Sequence, residues 1–168
     1  MTLTNRLGIS HESLRRTLTS LVDDGLVARN PGYGHPLRPE YVLTARGARV
    51  APVCGDLLAD LRELGVEETG LKKWSLPVVL ALGGPESCRF SALLGELPEL
   101  TPRALALTLK DLATAGLVDR AVTDGYPPAS AYSLTRAGAR LLPVLRRLES
   151  ALEEPPPRPY PLPLARTG

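Results

Sequence analysis

Leucine and valine recur at helical spacing in two stretches of the chain. In the first stretch the apolar positions lie three, four and seven residues apart, at Leu14, Leu18, Leu21 and Val22. This spacing predicts a helix over residues 10–24 with one apolar face. Ser10 is suited to cap the start of this helix, and Gly25 stands where a left-handed residue ends one.

A hairpin and a second helix follow in the predicted order. Residues 26–29 read as a short strand, and residues 40–43 read as the strand that returns. The segment between them is rich in glycine and proline, which predicts a long loop. Thr44 is placed to cap a last helix that runs to about Leu64.

The second stretch repeats this order with the same boundary signals. Its predicted elements are a helix that Thr101 caps and Gly116 ends, strands at 118–121 and 131–134, and a helix from Thr135 to about Glu154. Two further helices are predicted upstream, within residues 71–97. The first stretch has almost nothing in that place. Three explanations stay open: an incomplete first domain, a true start further upstream, or a helix from another subunit.

The two stretches are related by an offset of 91 positions. Identical pairs at this offset include Leu14 and Leu105, Leu18 and Leu109, Gly25 and Gly116, Arg29 and Arg120, Tyr41 and Tyr132, Thr44 and Thr135, and Gly47 and Gly138. A match of this length indicates a domain duplication.

The element order is that of a winged helix-turn-helix domain. We therefore predict an α+β, mainly helical fold with two tandem winged helix-turn-helix domains. The first domain covers residues 1–65, with N-terminal helices short or missing, and the second covers residues 66–154. Residues 155–168 contain six prolines and are predicted to form a disordered, partly polyproline-II tail.

Composition narrows the function classes. The formal net charge is only +2, so DNA binding would depend on local clusters of charge. Cys54 and Cys88 have no metal-ligand spacing, and no cofactor or metal is predicted. We recognise no signal peptide and no apolar run long enough to cross a membrane, so a cytoplasmic protein is expected.

The second stretch resembles the HxlR family of bacterial winged-helix transcriptional regulators, which are related to the MarR type. The resemblance covers about residues 71–150, and the first stretch matches only its later part. The residues that carry it are Lys73-Trp74, Arg89-Phe90, Leu105, Leu109, Leu112, Gly116-Leu117-Val118, Arg120, Pro127, Tyr132-Ser133-Leu134-Thr135, Gly138 and Leu142-Pro143-Val144-Leu145. The resemblance implies a regulator that binds double-stranded DNA, and such regulators usually act as dimers of single domains. Two domains in one chain could mimic that dimer, and a homodimer of the whole chain stays open.

The first stretch has the more basic candidate DNA-reading surface. The outer face of its helix and the following loop carry the predicted contacts His11, Arg15, Arg16, Thr19, His35 and Arg38. Arginine suits both a guanine edge and a phosphate. The competing interpretation is that these arginines are ordinary solvent-exposed residues of the helix and contact no DNA.

The equivalent surface of the second stretch is less basic. Arg103 and Lys110 are its candidate contacts, whereas Leu107 stands at an outward position that favours a protein partner. This half would either bind DNA weakly or serve as a partner-binding or structural half.

Members of the HxlR family often sense oxidants through a cysteine ahead of the Lys-Trp element. No cysteine precedes Lys73-Trp74 within reach. Cys88 and Cys54 are therefore either small core residues or redox-sensitive thiols at positions other than that of the family's sensor cysteine. No catalytic motif is present, so an enzyme is not expected.

The sequence predicts a sequence-specific transcriptional regulator, acting as a repressor that blocks polymerase. The alternative is a tandem winged-helix scaffold for protein interaction, with weak or no DNA binding. The near-zero net charge and the apolar second helix favour that alternative.

Overall fold

The computed structural model describes residues 3–30, 40–123 and 129–153. It divides into two compact units, residues 1–52 together with 150–168, and residues 53–149. This division falls between Pro52 and Val53, inside a helix, and not at the end of the sequence repeat. The assignment of domains to 1–65 and 66–154 stays a prediction, and the predicted tail at 155–168 lies outside the described residues.

The first unit is built from short helices and a two-stranded sheet. Its elements are α1 (Leu3–Leu7), α2 (His11–Asp23), β1 (Val27–Asn30), β2 (Glu40–Leu43) and the beginning of α3 (Ala45–Glu63). The strands pair antiparallel, with Val27 opposite Leu43 and Asn30 opposite Glu40. The predicted helix, both strands and the helix after Thr44 are confirmed. The helix α1 was not predicted.

The second unit contains a three-stranded antiparallel sheet in the order β3-β5-β4. Its elements are the rest of α3, α4 (Glu67–Gly70), α5 (Ser75–Ala81), β3 (Cys88–Arg89), α6 (Phe90–Glu96), α7 (Pro102–Thr114), β4 (Val118–Thr123), β5 (Ala129–Leu134), α8 (Arg136–Arg140) and α9 (Leu142–Glu153) as far as Glu149. The last residues of α9 are assigned to the first unit. The two upstream helices expected within residues 71–97 are present as α5 and α6. Neither α4 nor β3 was predicted, because four and two residues are too few to show a helical or strand period.

The prediction of one continuous helix from Thr135 to Glu154 is wrong. The helix stops at Arg140, and α9 begins at Leu142. Pro143 favours the break without deciding it alone, since proline has no amide hydrogen for the carbonyl four residues earlier and its ring crowds that carbonyl. Pro52, its equivalent at the 91-residue offset, lies inside α3 without a break.

The joint between the hairpin and the following helix has the same hydrogen bonds in both units. The Thr44 hydroxyl donates to the Gly25 carbonyl over 2.7 Å and accepts from the Gly47 amide over 3.0 Å. The Thr135 hydroxyl donates to the Gly116 carbonyl over 2.7 Å and accepts from the Gly138 amide over 3.1 Å. Both predicted threonine caps are confirmed.

Burial of the second helix differs between the units. In α7, Leu105, Leu109 and Leu112 are 0%, 2% and 0% exposed, because α4 and α5 pack against that helix. Their equivalents in α2 are Leu14, Leu18 and Leu21, which are only half-buried. The prediction that these three leucines are buried is therefore wrong. Among the described residues of the first unit, only α1 precedes α2 and contacts it.

Candidate nucleic-acid interface

The helix α2 begins at a well-formed cap. The Ser10 backbone is extended, and its hydroxyl accepts a hydrogen bond from the Ser13 amide over 3.1 Å. This bond satisfies one of the amides that a helix start leaves free. The cap fixes where the helix begins, and thereby which side chains face outward from its first turns.

Four predicted contact residues occupy the exposed side of α2. His11 is the first helical residue, and the side chains of Arg15 and Arg16 are 71% and 77% exposed. Thr19 is also exposed. The structure therefore brings these four residues onto one accessible helix surface. His35 and Arg38, the other two predicted contacts of this half, lie outside the described residues.

A shallow groove lies between α2 and the first sheet. It has a volume of about 340 Å³ and is lined by Arg15, Leu18, Thr19, Val22, Arg29 and Tyr41. Arg15 and Arg29 place two guanidinium groups on the same groove. Arg29 was not among the residues predicted from the sequence to contact DNA. Its match to Arg120 at the 91-residue offset was the signal that could have drawn attention to it.

Charge in the first turns of α2 is concentrated around Glu12. Arg15 Nε donates to Glu12 Oε2 over 3.1 Å, and Arg15 Nη2 donates to Glu12 Oε1 over 2.9 Å. Arg16 Nε lies 3.5 Å from the same Oε1 atom. These hydrogen bonds, with Arg15 contributing most, lower the pKa of Glu12 from its usual value, and Glu12 raises the pKa of Arg15. Glu12 and Arg15 therefore stay ionised at neutral pH.

The corresponding surface of α7 is mixed. Arg103 and Lys110 are exposed, as predicted for contact residues, but Leu107 is 54% exposed between them. Asp111 accepts a hydrogen bond from Lys72 over 2.8 Å, which raises the pKa of that lysine. Val122 in β4 is 65% exposed. This half therefore presents more apolar surface than α2, although each of the two helices carries two exposed cations.

The two cysteines are half-buried free thiols. Burial raises the pKa of Cys54. Burial, and then the charge of Glu96, raise the pKa of Cys88, against a smaller opposing effect of the Leu93 backbone. A raised pKa lowers the thiolate fraction, which is the reactive form. Arg89, the neighbouring cation, is not among the groups that shift this pKa.

The described residues contain no cluster of three or more histidine, cysteine, aspartate or glutamate side chains that could hold a metal ion. Within the same part of the chain, every helix is too short or too polar to cross a bilayer.

Comparison with known proteins agrees with this architecture. The sequence model of the HxlR-like helix-turn-helix family matches residues 2–68 and again residues 71–155. The chain belongs to the HxlR-like helix-turn-helix family. Its fold is the winged helix-turn-helix, a mixture of helices and a small sheet, as predicted.

Individual relatives of this HxlR-like chain are also regulators by name. An uncharacterized HTH-type transcriptional regulator of Methanothermobacter thermautotrophicus is 33% identical over 113 residues, which span 64% of this chain and 85% of that protein. Another, of Halalkalibacterium halodurans, is 34% identical over 76 residues, 45% of this chain and 67% of that protein. A solved structure of a protein named as a MarR-family transcriptional regulator, from Porphyromonas gingivalis, is 25% identical, with a TM-score of 0.47. The match covers 49% of this chain and 80% of the Porphyromonas chain. The HxlR-like family is one of helix-turn-helix proteins, and the two curated relatives are transcriptional regulators by name, which confirms the prediction that this chain is not an enzyme.

Proposed function

We propose that this HxlR-like protein is a sequence-specific DNA-binding transcriptional repressor that uses two tandem winged-helix domains. Two observations support the duplication. The family model matches the chain twice, and the Thr44 and Thr135 joints have the same hydrogen bonds. The observation that carries the DNA-binding function is the pair of exposed arginines, Arg15 and Arg16, on a capped helix that precedes a two-stranded hairpin.

The mechanism follows from the dimensions and chemistry of that surface. The major groove of B-DNA admits an α-helix, and the guanidinium group can form two hydrogen bonds with guanine or with a phosphate. Arg15 and Arg16 would be the main contacts, and His11 and Thr19 would bond bases or phosphates beside them. Arg29 would contact the flanking backbone, as would His35 and Arg38. Binding at a promoter would block polymerase.

The two halves contribute unequally in this proposal. The α7 surface offers Arg103 and Lys110 but also the exposed Leu107. Its share of the DNA affinity should therefore be smaller than that of α2. A chain with one strong and one weak reading helix would prefer an imperfect palindrome.

Double-stranded DNA is the proposed partner. The mass of the DNA complex, measured by sizing, tells whether one copy or two copies of the chain bind. A cytoplasmic location belongs to the same proposal, because a transcriptional regulator acts where the chromosome is. An effector, if one exists, would act by binding the DNA-competent and the incompetent arrangement with different affinity.

A protein-interaction scaffold is the second candidate function. The exposed apolar side chains Leu107 and Val122 of the second unit favour it, since exposed apolar surface is suited to a protein partner. If the scaffold function is correct, the chain would bind DNA weakly and without sequence preference.

Fluorescence anisotropy separates the two candidates. The full chain is titrated into a labelled duplex from upstream of its own gene and into a scrambled duplex, each at two salt concentrations. A repressor that controls its own gene should prefer the upstream duplex, and the preference should survive the higher salt because base contacts release no counterions. Equal, salt-sensitive binding to both duplexes would support the scaffold.

A further inference from the structure

Glu12 is an unexpected residue on a DNA-reading surface. Its carboxylate lies in the first turn of α2, beside the two arginines that the proposed function needs. A carboxylate at this position repels phosphates. It also neutralises part of the positive charge that would attract the duplex.

The hydrogen bonds between Glu12 and Arg15 use one particular edge of the guanidinium group. Arg15 donates from Nε and Nη2, so that both Glu12 oxygens are engaged. A guanidinium group has five N–H donors, and two planar edges can each form a pair of bonds. Because Glu12 occupies the Nε–Nη2 edge, the Nη1–Nη2 edge remains available for the O6 and N7 atoms of a guanine.

The second unit provides an internal comparison. At the 91-residue offset, Arg103 stands where Glu12 stands, and Ala106 and Leu107 stand where Arg15 and Arg16 stand. The carboxylate and its two arginines therefore occur together in α2 and are all absent from the equivalent positions of α7. A carboxylate that served only to solvate the helix would not need the arginines as neighbours.

We infer that Glu12 is a specificity-determining residue of the DNA interface: it orients Arg15 toward a guanine and keeps Arg15 and Arg16 from binding phosphates indiscriminately. This inference rests on the proposed DNA-binding function. Glu12 acts through Arg15, so it is a positioning residue. Glu12 weakens the affinity of the protein for every duplex, but it enlarges the difference in affinity between the preferred duplex and other sequences.

The test is selection of preferred duplexes from a randomised library, followed by anisotropy on the selected and a scrambled duplex. The variants are Glu12→Gln, Arg15→Ala, the double variant, and Asp23→Asn as a control. Asp23 is exposed at the far end of α2, so that Asp23→Asn makes the same change in net charge away from the arginines. Circular dichroism verifies that each variant is folded.

Glu12→Gln should strengthen binding to the scrambled duplex by about threefold or more, because one negative charge is lost from the interface. It should also lower the ratio of specific to non-specific affinity by about tenfold, the size expected when one bidentate base contact loosens. The guanine preference at one position should weaken in Glu12→Gln and in Arg15→Ala alike. The double variant should lose little more than Arg15→Ala, because the two residues act as one unit.

Asp23→Asn should leave the selected sequence and the affinity ratio unchanged. An unaltered guanine preference in Glu12→Gln, or additive losses in the double variant, would overturn the inference while leaving the DNA-binding function intact. If the wild-type chain selects no sequence, the proposed function itself fails, and the inference fails with it.

Discussion

The Thr135 hydroxyl donates a hydrogen bond to the Gly116 carbonyl over 2.7 Å while it accepts one from the Gly138 amide over 3.1 Å. One side chain thus joins the end of α7 to the start of α8. Thr44 makes the same two bonds in the first unit. The attachment of each β-hairpin to the following helix therefore depends on one threonine hydroxyl.

Replacement of Thr135 by alanine should destabilise the second unit by about 1–2 kcal/mol, since a helix cap is lost and the Gly116 carbonyl loses a partner. Trp74, the one tryptophan of the chain, lies half-buried in this unit and reports its urea unfolding by fluorescence. Thr114→Ala is the matched control, because the Thr114 hydroxyl bonds only back to the Lys110 carbonyl on the same helix. It should change the stability by less than about 0.5 kcal/mol. Equal effects of the two variants would show that the joint contributes nothing particular.

Glycine has a conformational role at position 116 that it lacks at position 95. The φ angle of Gly116 is +73°, in the left-handed region, and no neighbour would meet an added Cβ atom. Gly116→Ala should therefore destabilise the second unit by about 1–2 kcal/mol from backbone strain alone. Gly95 in α6 also has open space, but its φ angle is not positive. Gly95→Ala should stabilise the same unit by about 0.5–1 kcal/mol. Urea unfolding followed by Trp74 measures both, and effects of the same sign would contradict this interpretation.

Hydrogen exchange should distinguish the two reading helices. The apolar face of α2 is half-buried, whereas Leu105, Leu109 and Leu112 of α7 are almost completely buried. An amide whose hydrogen bond can break without disturbing a buried core exchanges its hydrogen through local unfolding of low free energy. Peptides from α2 should therefore exchange at least about tenfold faster than peptides from α7, after correction for intrinsic rates. Equal protection of the two helices, measured by mass spectrometry on the free chain, would contradict the burial difference.

Both cysteines should be slow to react with a thiol reagent. Burial raises the pKa of Cys54 and of Cys88, so the thiolate fraction at neutral pH is smaller than that of a free cysteine. The rate of alkylation should rise with pH, with a midpoint above that of a cysteine-containing peptide measured in parallel. Mass spectrometry after iodoacetamide treatment assigns the rates to each residue. If the alkylation rate of either cysteine had its midpoint at or below neutral pH, the result would instead support a redox-sensor role for that cysteine.

The sequence was most informative where chemistry is local. Ser10, Thr101 and Thr135 were predicted as caps because a hydroxyl just before a helix lies close to the free amides of its first turn, and the structure has those bonds. Gly25 and Gly116 were predicted at helix ends for a similarly local reason, and both have positive φ angles.

Features that depend on packing could not be predicted in the same way. The spacing of Leu14, Leu18 and Leu21 indicates a helix face, but their exposure depends on which elements cover that face. The pairing of Glu12 with Arg15 depends on side-chain rotamers, which the residue order allows but does not dictate. The break at Leu141 was foreseeable from Pro143, but the unbroken helix around Pro52 shows that proline alone does not decide it.

The central claim is that α2 is the principal DNA-reading element of this chain. Its most direct test compares two double variants on the preferred duplex by fluorescence anisotropy: Arg15→Ala with Arg16→Ala, and Arg103→Ala with Lys110→Ala. Each double variant removes two exposed cations from one helix, so the change in net charge is the same. The account predicts that the first loses about tenfold or more in affinity and the second less than about threefold, since base contacts cost more than phosphate contacts. Equal losses from the two variants would contradict it.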